Sequence, residues 1–368
     1  MTDGFRFDFG IGAARDGHVK VTDSTLYEPG KGYGFSSVTK VAAKSRVEAE
    51  GMGSDFCIPV ETSFLLDVEN GVYTVNLLIG DAITATETTI KAGCGRLMAQ
   101  RLRTVAGEFI RYSFSLSIRD GQIRLAFTGL APRINALEVL PSSQTPTLFL
   151  AGDSTVTDQR EDGYPYAGWG QMLPKWFKQD VAIENRAVSG RSSKSFIGEG
   201  RLDEILQWMK PRDVLMIQFG HNDQKPDEER RTEPFTTYKE YLKQYIDGAR
   251  HREAIPVLVT SVQRRFFEAD GSLVDTHGDY LIAMKELAEE ENVPLIDLAE
   301  ESRKLFEELG PEATQSVFMW AAPGEFMNFP NGVEDNTHFQ ERGALQVAGL
   351  VVEQLKQLRL GAIQVAFR

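Results

Sequence analysis

Apolar and polar positions along this chain follow two rhythms, and the change comes near residue 141. Before it the pattern is strand and turn. Phe5-Arg6-Phe7-Asp8-Phe9 alternates strictly, the period of a half-buried strand. The β-rich runs 62–68 and 72–79 flank Glu69-Asn70-Gly71, and that spacing predicts a hairpin, because both central residues of such a turn need positive φ. Runs 112–118 and 123–127 around Asp120-Gly121 predict a second hairpin. Glycine is frequent, long amphipathic helical patterns are scarce, and 134–140 supplies a closing strand. Residues 1–141 therefore read as an all-β sandwich domain. Pro141-Ser142-Ser143-Gln144-Thr145-Pro146 reads as a linker.

From residue 146 to 368 the rhythm becomes strand, loop, helix. Short apolar runs occur at 148–151, 181–183, 214–219, 256–260 and 294–296, with helical patterns at 238–252, 281–291 and 344–358 between and after them. Such alternation predicts an α/β domain, a mostly parallel sheet covered by helices on both faces. Ligands of such sheets bind beyond the carboxyl ends of the strands. The last segment, 360–368, runs past the final helix and reads as an extra strand or a tail.

Length and composition agree with two globular domains: 368 residues, 42% hydrophobic and 25% charged. The formal net charge of −13 argues against nucleic acid or an anionic membrane as the main partner. It also means that an acidic substrate needs local basic groups. No apolar run of about eighteen residues is present to span a membrane. Met1-Thr2-Asp3-Gly4-Phe5 has no positive flank before an apolar core, so no signal peptide is visible and a cytoplasmic setting is expected. Cys57 and Cys94 are the two cysteines; two thiols in a reduced compartment is the simpler reading, a bridge the other.

Candidate chemistry gathers at the strand ends of the second domain. Gly152-Asp153-Ser154-Thr155 follows the first run, and a serine on a tight strand-end turn is presented to solvent, as a nucleophile must be. Alone, Asp-Ser is equally a helix N-cap. Company changes that reading: Asn185-Arg186-Ala187-Val188-Ser189-Gly190 follows a second strand, Phe219-Gly220-His221-Asn222-Asp223 a third, and Asp335-Asn336-Thr337-His338 stands near the C-terminus. Four segments in this order resemble the SGNH (GDSL-like) hydrolases over about 190 residues, the family letters falling on Ser154, Gly190, Asn222 and His338. The resemblance implies a flavodoxin-like three-layer α/β/α fold and an acyl-serine mechanism. In it Ser154 is the nucleophile, His338 the base and Asp335 the group that orients the imidazole. The oxyanion hole is implied to be the backbone N–H groups of Ser154 and Gly190 with the Asn222 amide. Of five histidines, His18 and His251 are expected at the surface and His221 in a structural role. His277, in Asp275-Thr276-His277, is the competitor for the base, but only His338 has a carboxylate three residues earlier on a polar turn as the family does. No third histidine or cysteine stands at metal-ligand spacing, so neither metal nor cofactor is expected.

Within that family Thr155 replaces the leucine of lipase-like members. Tyr166-Ala167-Gly168-Trp169-Gly170-Gln171, the run Asn185 to Phe196, Gln218 to Asp223 and Asp335 to Phe339 together resemble rhamnogalacturonan acetylesterases, which deacetylate a pectin backbone. Phe7-Asp8-Phe9-Gly10, residues 19–27 and Gly32-Tyr33-Gly34-Phe35 resemble the galactose-binding-like β-sandwich that precedes some bacterial members. The expected partner is thus an acetylated oligosaccharide. Arg191, Lys194, Arg264 and Arg265 lie nearest the site in sequence; Arg191 or Arg265 is the candidate for a uronate carboxylate, with solvated surface charge as the alternative. All four tryptophans fall in the second domain: Trp169 reads as core, and Trp320, in a loop before Asp335, as a cleft wall. The first domain either shapes the cleft or binds sugar. Two rival functions stand beside this reading: another SGNH deacylase (a thioesterase, a lysophospholipase or an acetylesterase for a different glycan), and a carbohydrate-binding protein on an inactive scaffold.

Overall fold

The computed structural model describes residues 4–46 and 51–368. The chain divides into two compact units: Met1–Thr145 with Phe177–Ala182 and Arg368, and Pro146–Trp176 with Ile183–Phe367. Among the described residues, no helix is long and apolar enough to cross a membrane.

The first unit is all β. One set of paired strands runs in the order Phe109–Ile118, Gly71–Gly80, Ala136–Pro141, Phe5–Phe9, Val19–Val21; the other runs Tyr33–Phe35, Thr62–Asp67, Gln122–Ala131, Thr86–Ala92, Arg96–Thr104. Their inner faces meet in one apolar core. Aromatic rings stitch it across the gap, with Phe7 and Phe9 of the first set edge-on to Phe64 of the second at 5.1 and 5.2 Å. Each such pair contributes about 0.5–1.5 kcal/mol beyond the area it buries. Cys57 is buried and Cys94 exposed, and both are thiols rather than halves of a bridge.

Neither expected hairpin forms. Thr62–Asp67 pairs with Gln122–Ala131 and Tyr33–Phe35, whereas Gly71–Gly80 pairs with Phe109–Ile118 and Ala136–Pro141. The strands on either side of Asn70-Gly71 therefore lie in opposite sheets, and so do those on either side of Asp120-Gly121. Neither Asn70 nor Gly71 has the positive φ that the hairpin turn requires, although Gly121 does. The physical reason is burial. Phe64, Leu66, Tyr73, Val75, Leu77, Phe114, Leu116, Ile123 and Leu125 are all buried, and facing each other across about 10 Å hides them better than side-by-side pairing would. The two corners hold one another, Val68 N–H donating to Gly121 O at 2.9 Å and Gly121 N–H to Asn70 Oδ1 at 3.0 Å.

The second unit is built on five strands in the order Leu295–Ile296, Ile255–Val259, Val214–Gln218, Thr147–Gly152, Ala182–Asn185. Thr147–Gly152, Val214–Gln218, Ile255–Val259 and Leu295–Ile296 pair in parallel. Thr147–Gly152 and Val214–Gln218 are buried at every position, as a sheet covered on both faces requires. Phe149, Ala151, Leu215 and Ile217 pack on one face with Leu242, Tyr245, Ala283 and Met284 from the helices Lys239–His251 and Asp279–Glu290. On the other face Gly170, in the short helix Trp169–Met172, comes so near Leu150 that a Cβ would lie 2.7 Å from its side chain. The helix Leu298–Ala313 has no counterpart in the sequence reading; Gly310 (φ 74°) and Pro311 interrupt its last turn.

A small antiparallel sheet completes this unit. Phe318–Ala321 pairs with Val333–Gln340, which pairs in turn with Tyr166–Ala167. Trp320 thus sits on a strand, where a loop was expected. The ladder steps from Phe318↔Phe339 to Met319↔Asp335, one residue on one strand against four on the other, so Asn336-Thr337-His338 loops out. Beyond the last long helix, Glu341–Gln357, the chain ends in turns that bury Leu360, Ile363 and Ala366 rather than in the extra strand considered.

That helix begins hard against the small sheet. A Cβ on Gly343 would lie 1.9 Å from Val317 O, whereas one on Gly349 would meet only Trp176 at 3.6 Å. Gly343→Ala should therefore destabilise the protein by about 1–3 kcal/mol or more. Gly349→Ala should stabilise it by about 0.5–1 kcal/mol through helix propensity. Urea midpoints of the two variants check both signs; equal shifts would contradict the close approach at Gly343.

Candidate active site

Thr147–Gly152 lies between Ala182–Asn185 and Val214–Gln218, so the three loops leaving those strands emerge side by side. The first carries Ser154. Its turn is closed by Val156 and Thr157 N–H groups donating to Asp153 O at 3.1 Å, while Asp153 Oδ1 accepts the N–H and hydroxyl of Thr155 at 2.9 and 2.8 Å. Gly152 is glycine for space: a Cβ there would lie 2.8 Å from Val156 and 3.1 Å from Gln218 O. Gln218 Nε2 donates to Thr155 Oγ1 at 2.7 Å, and Trp169 Nε1 donates to Gln218 Oε1 at 2.8 Å, tying the turn to the neighbouring strand end. Trp169 is core, as expected.

The looped-out segment of Val333–Gln340 meets this turn. His338 Nε2 is 2.7 Å from Ser154 Oγ, and His338 Nδ1 is 2.7 Å from Asp335 Oδ2. An ionised Asp335 can only accept, so the imidazole carries its proton on Nδ1 and presents the Nε2 lone pair to the Ser154 hydroxyl. Burial alone would raise the Asp335 carboxyl. The hydrogen bond and charge of His338, with the N–H groups of Thr337 and His338, outweigh it and hold the group at about 2. Tyr166 OH donates to Asp335 Oδ2 at 3.1 Å, a contact that no local feature of the sequence announces.

Asn222 is tied to the loop that carries Gly190. Asn222 Nδ2 donates to Arg191 O at 3.1 Å, which orients the amide and leaves its second N–H to point elsewhere. Gly190 has φ 80°, and a Cβ there would meet nothing within 4 Å. Its glycine is thus needed for the left-handed backbone. Val188 N–H donates to Gly152 O at 3.0 Å, holding this loop beside the serine turn.

His277 does not reach the serine. It is buried, its Nδ1 accepts from Gln224 Nε2 at 2.9 Å and its Nε2 is 3.0 Å from Val262 O, so both nitrogens are engaged. Burial, with His221 and Arg264 adjacent, pushes it well below the usual histidine range. His221 is buried too, its Nδ1 3.2 Å from Asp153 Oδ2 but off the line of a hydrogen bond. Of the two expected surface histidines, His251 is exposed and His18 half-buried.

The expected substrate residues are engaged within the protein. Arg191 Nε donates to Glu199 at 2.9 Å and Nη1 to Ser189 O at 2.9 Å, and Lys194 donates to Glu228 O. Arg264 donates to Thr276 and to His221 O. Arg265 lies 4.5 Å over the Trp320 ring and donates to Thr314 and, at 3.1 Å, to Asn336 Oδ1. Trp320 Nε1 donates to the same oxygen at 3.0 Å. Arg265 and Trp320 together therefore brace Asn336, the first residue of the looped-out segment after Asp335. Among the described residues no group of three or more His, Cys, Asp or Glu side chains is placed to hold a metal.

Asp223, beside Asn222, is wholly buried. It accepts from Ser193 N–H and Oγ–H and from Thr232 Oγ1, but burial dominates and pushes its carboxyl up to about 7, with the Asp153 charge acting in the same direction. An unfolded aspartate ionises near about 3.9, so the folded state holds this proton more tightly. The resulting stabilisation is complete below about pH 4 and is lost as pH rises through about 7. Asp223→Asn cannot ionise and escapes that loss. Between pH 5 and pH 8 its urea midpoint should gain on the wild type, and a difference that does not change with pH would contradict the raised carboxyl.

Comparison with known proteins gives this geometry a family. Residues 150–344 match the GDSL-like Lipase/Acylhydrolase family, and residues 5–137 match the Beta-agarase/YXIM esterase-like, galactose-binding domain-like family. Rhamnogalacturonan acetylesterase RhgT of Bacillus subtilis (strain 168) is 48% identical over 213 residues, 58% of this chain and 90% of RhgT. The uncharacterized esterase YxiM of the same organism is 30% identical over 96% of this chain and 91% of its own. The crystal structure of the YxiM protein superposes with a TM-score of 0.53 at 28% identity, covering 96% of this chain and 98% of that one. The chain belongs to the GDSL-like lipase/acylhydrolase family of carboxylic ester hydrolases.

Proposed function

We propose that this protein is a serine acetylesterase that removes O-acetyl groups from carbohydrate, with acetylated rhamnogalacturonan oligosaccharides as its substrates. The observation that carries this reading is the unbroken line Ser154 Oγ–His338 Nε2, His338 Nδ1–Asp335 Oδ2, each contact 2.7 Å. The substrate class is supported by the identity to RhgT and, at 46% over 214 residues, to the probable rhamnogalacturonan acetylesterase YesY of Bacillus subtilis (strain 168).

The chemistry follows from the positions. Ser154 Oγ attacks the acetyl carbonyl carbon while its proton passes to His338 Nε2. The carbonyl oxygen becomes an oxyanion, for which the N–H groups of Ser154 and Gly190 and the second N–H of Asn222 are the donors. Collapse breaks the bond to the sugar oxygen, which leaves with the proton from His338. Water then attacks the acetyl-serine, giving its proton to His338, and acetate departs as Ser154 regains its own. Asp335, ionised down to about pH 2, stabilises the imidazolium in both halves.

A net charge of −13 repels a polyanion over a Debye length of about 8 Å at physiological ionic strength, which favours short, sparsely charged oligomers. Glu199 is shared by Arg191 and Arg201, so a uronate approaching Arg191 competes with one carboxylate for two guanidinium groups.

Ser154→Ala should lower ester turnover by a factor on the order of 10³ or more with the fold intact. A folded Ser154→Ala protein that keeps most of its activity removes the whole reading. Asp335 accepts from four donors, the Tyr166 hydroxyl, His338 Nδ1 and the N–H groups of Thr337 and His338. Tyr166→Phe, which loses one of them, should cost only about three- to tenfold in kcat. For the substrate, rates on acetyl, butyryl and octanoyl esters are compared with acetate release from acetylated rhamnogalacturonan oligomers. Octanoyl turned over faster than acetyl, with no acetate from the oligomers, would leave the serine mechanism standing and overturn the carbohydrate assignment.

A further inference from the structure

The three groups assigned to the oxyanion sit on three separate loops, so something must hold those loops in register. Placement within roughly half an ångström decides what such donors are worth. Two buried carboxylates lie at the joints. Asp153 adjoins Ser154 and faces His221, which adjoins Asn222; both side chains are buried and 3.2 Å apart. On the other flank of Asn222, Asp223 accepts the N–H of Ser193 at 3.1 Å and the Ser193 hydroxyl. Ser193 opens the helix Ser193–Gly198 directly after the loop that carries Gly190 and whose Arg191 carbonyl orients the Asn222 amide. The backbone around Asp223 is pinned in turn, its carbonyl accepting from Thr232 N–H at 3.0 Å and Tyr280 OH at 3.1 Å. Neither carboxylate touches the Ser154–His338 pair, and each carries a desolvation cost that a surface residue would not.

We propose that Asp223 is a positioning residue for the oxyanion site: by gripping Ser193 it locks the loop of Gly190 to the loop of Asn222, so that the Asn222 amide is preset before substrate arrives. The inference rests on the serine-esterase reading above. Its signature is coupling. Asp223 acts through Asn222, so its loss matters only while Asn222 is there to be positioned.

The experiment is a double-mutant cycle on the full chain, with p-nitrophenyl acetate as the probe and circular dichroism to confirm folding. Asp223→Ala, which removes the acceptor, should lower kcat by about ten- to thirtyfold with KM within about twofold, and Asn222→Ala by about 10²–10³. Asp223→Asn, which keeps the accepting oxygen, should lose much less. The double variant Asp223→Ala/Asn222→Ala should fall no more than about threefold below Asn222→Ala alone, because the residues act as a unit. Ser193→Ala, which removes only the hydroxyl donor, should show a smaller loss coupled to Asn222 in the same way; it carries the test should Asp223→Ala not fold. A fully additive loss, or a kcat untouched by Asp223→Ala, overturns the inference and leaves the esterase intact. Full activity in Asn222→Ala overturns both this inference and the oxyanion assignment, whereas the serine reading then still stands or falls on Ser154→Ala alone.

Discussion

The hydrogen bond between Ser154 and His338 joins residues 184 positions apart, and much of the second unit exists to make it close at 2.7 Å. One end is fixed by a parallel strand buried at every position, ending in a glycine that lets the serine turn lie against Gln218. The other end is fixed by a bulge. Four residues of Val333–Gln340 stand against one step of its neighbour, so the histidine leaves the ladder while Asp335 stays in it. Asp335 then caps the looped-out segment through the N–H groups of Thr337 and His338 and receives the imidazole on its other oxygen. The same carboxylate folds the loop and orients the ring. Arg265 and Trp320 brace Asn336 within that loop, so two residues that look like substrate contacts in the sequence have a structural task in hand.

What was legible in the sequence divides along a physical line. Ser154, Gly190, Asn222 and the Asp335–His338 pair could be read because each sits in a short segment whose local chemistry is distinctive: a strand end, a glycine, an amide, a carboxylate three residues before a histidine. His338 could be preferred to His277 on that ground, and the structure engages both nitrogens of His277 elsewhere. Contacts between distant segments were not legible. Tyr166 meets Asp335 across 169 residues, and nothing in its own neighbourhood announces it. The same holds for Asp223, where the sequence shows an aspartate after Asn222 but not the burial that raises its carboxyl.

The two missed hairpins teach the complementary lesson. Asn-Gly and Asp-Gly report what a backbone can do locally, and Gly121 does take positive φ. Pairing is decided elsewhere, by where the buried faces of the flanking strands find most cover. Phe64 and Leu66 on one side and Tyr73 and Val75 on the other bury themselves across the sandwich, so the chain crosses between sheets at the turn. The strands on either side of each turn form where the β-rich runs predict them; the partners differ, because a run's apolar face does not say what it faces.

Three aspartates of the second unit show how environment divides labour within one residue type. Asp335 is partly exposed, touches an imidazole and accepts four donors, and it is held at about 2. Asp153 is wholly buried, yet the adjacent His221 imidazole and the donors of Thr155 outweigh its desolvation and lower it. Asp223 is equally buried and has the Ser193 and Thr232 donors, but no imidazole faces it, and desolvation wins. The difference between the last two is a partner able to carry positive charge. A neutral donor stabilises an ionised carboxylate by orientation alone, while an imidazole adds Coulomb attraction when it is protonated, although burial lowers the proton affinity of His221 as well. It follows that Asp335 and Asp153 hold their neighbours as anions across the ordinary range of pH. Asp223 grips Ser193 in either protonation state, since a protonated carboxyl still accepts through its carbonyl oxygen. A brace that does not depend on ionisation suits an oxyanion site, whose donors must stay in place while charge appears and disappears on the substrate beside them.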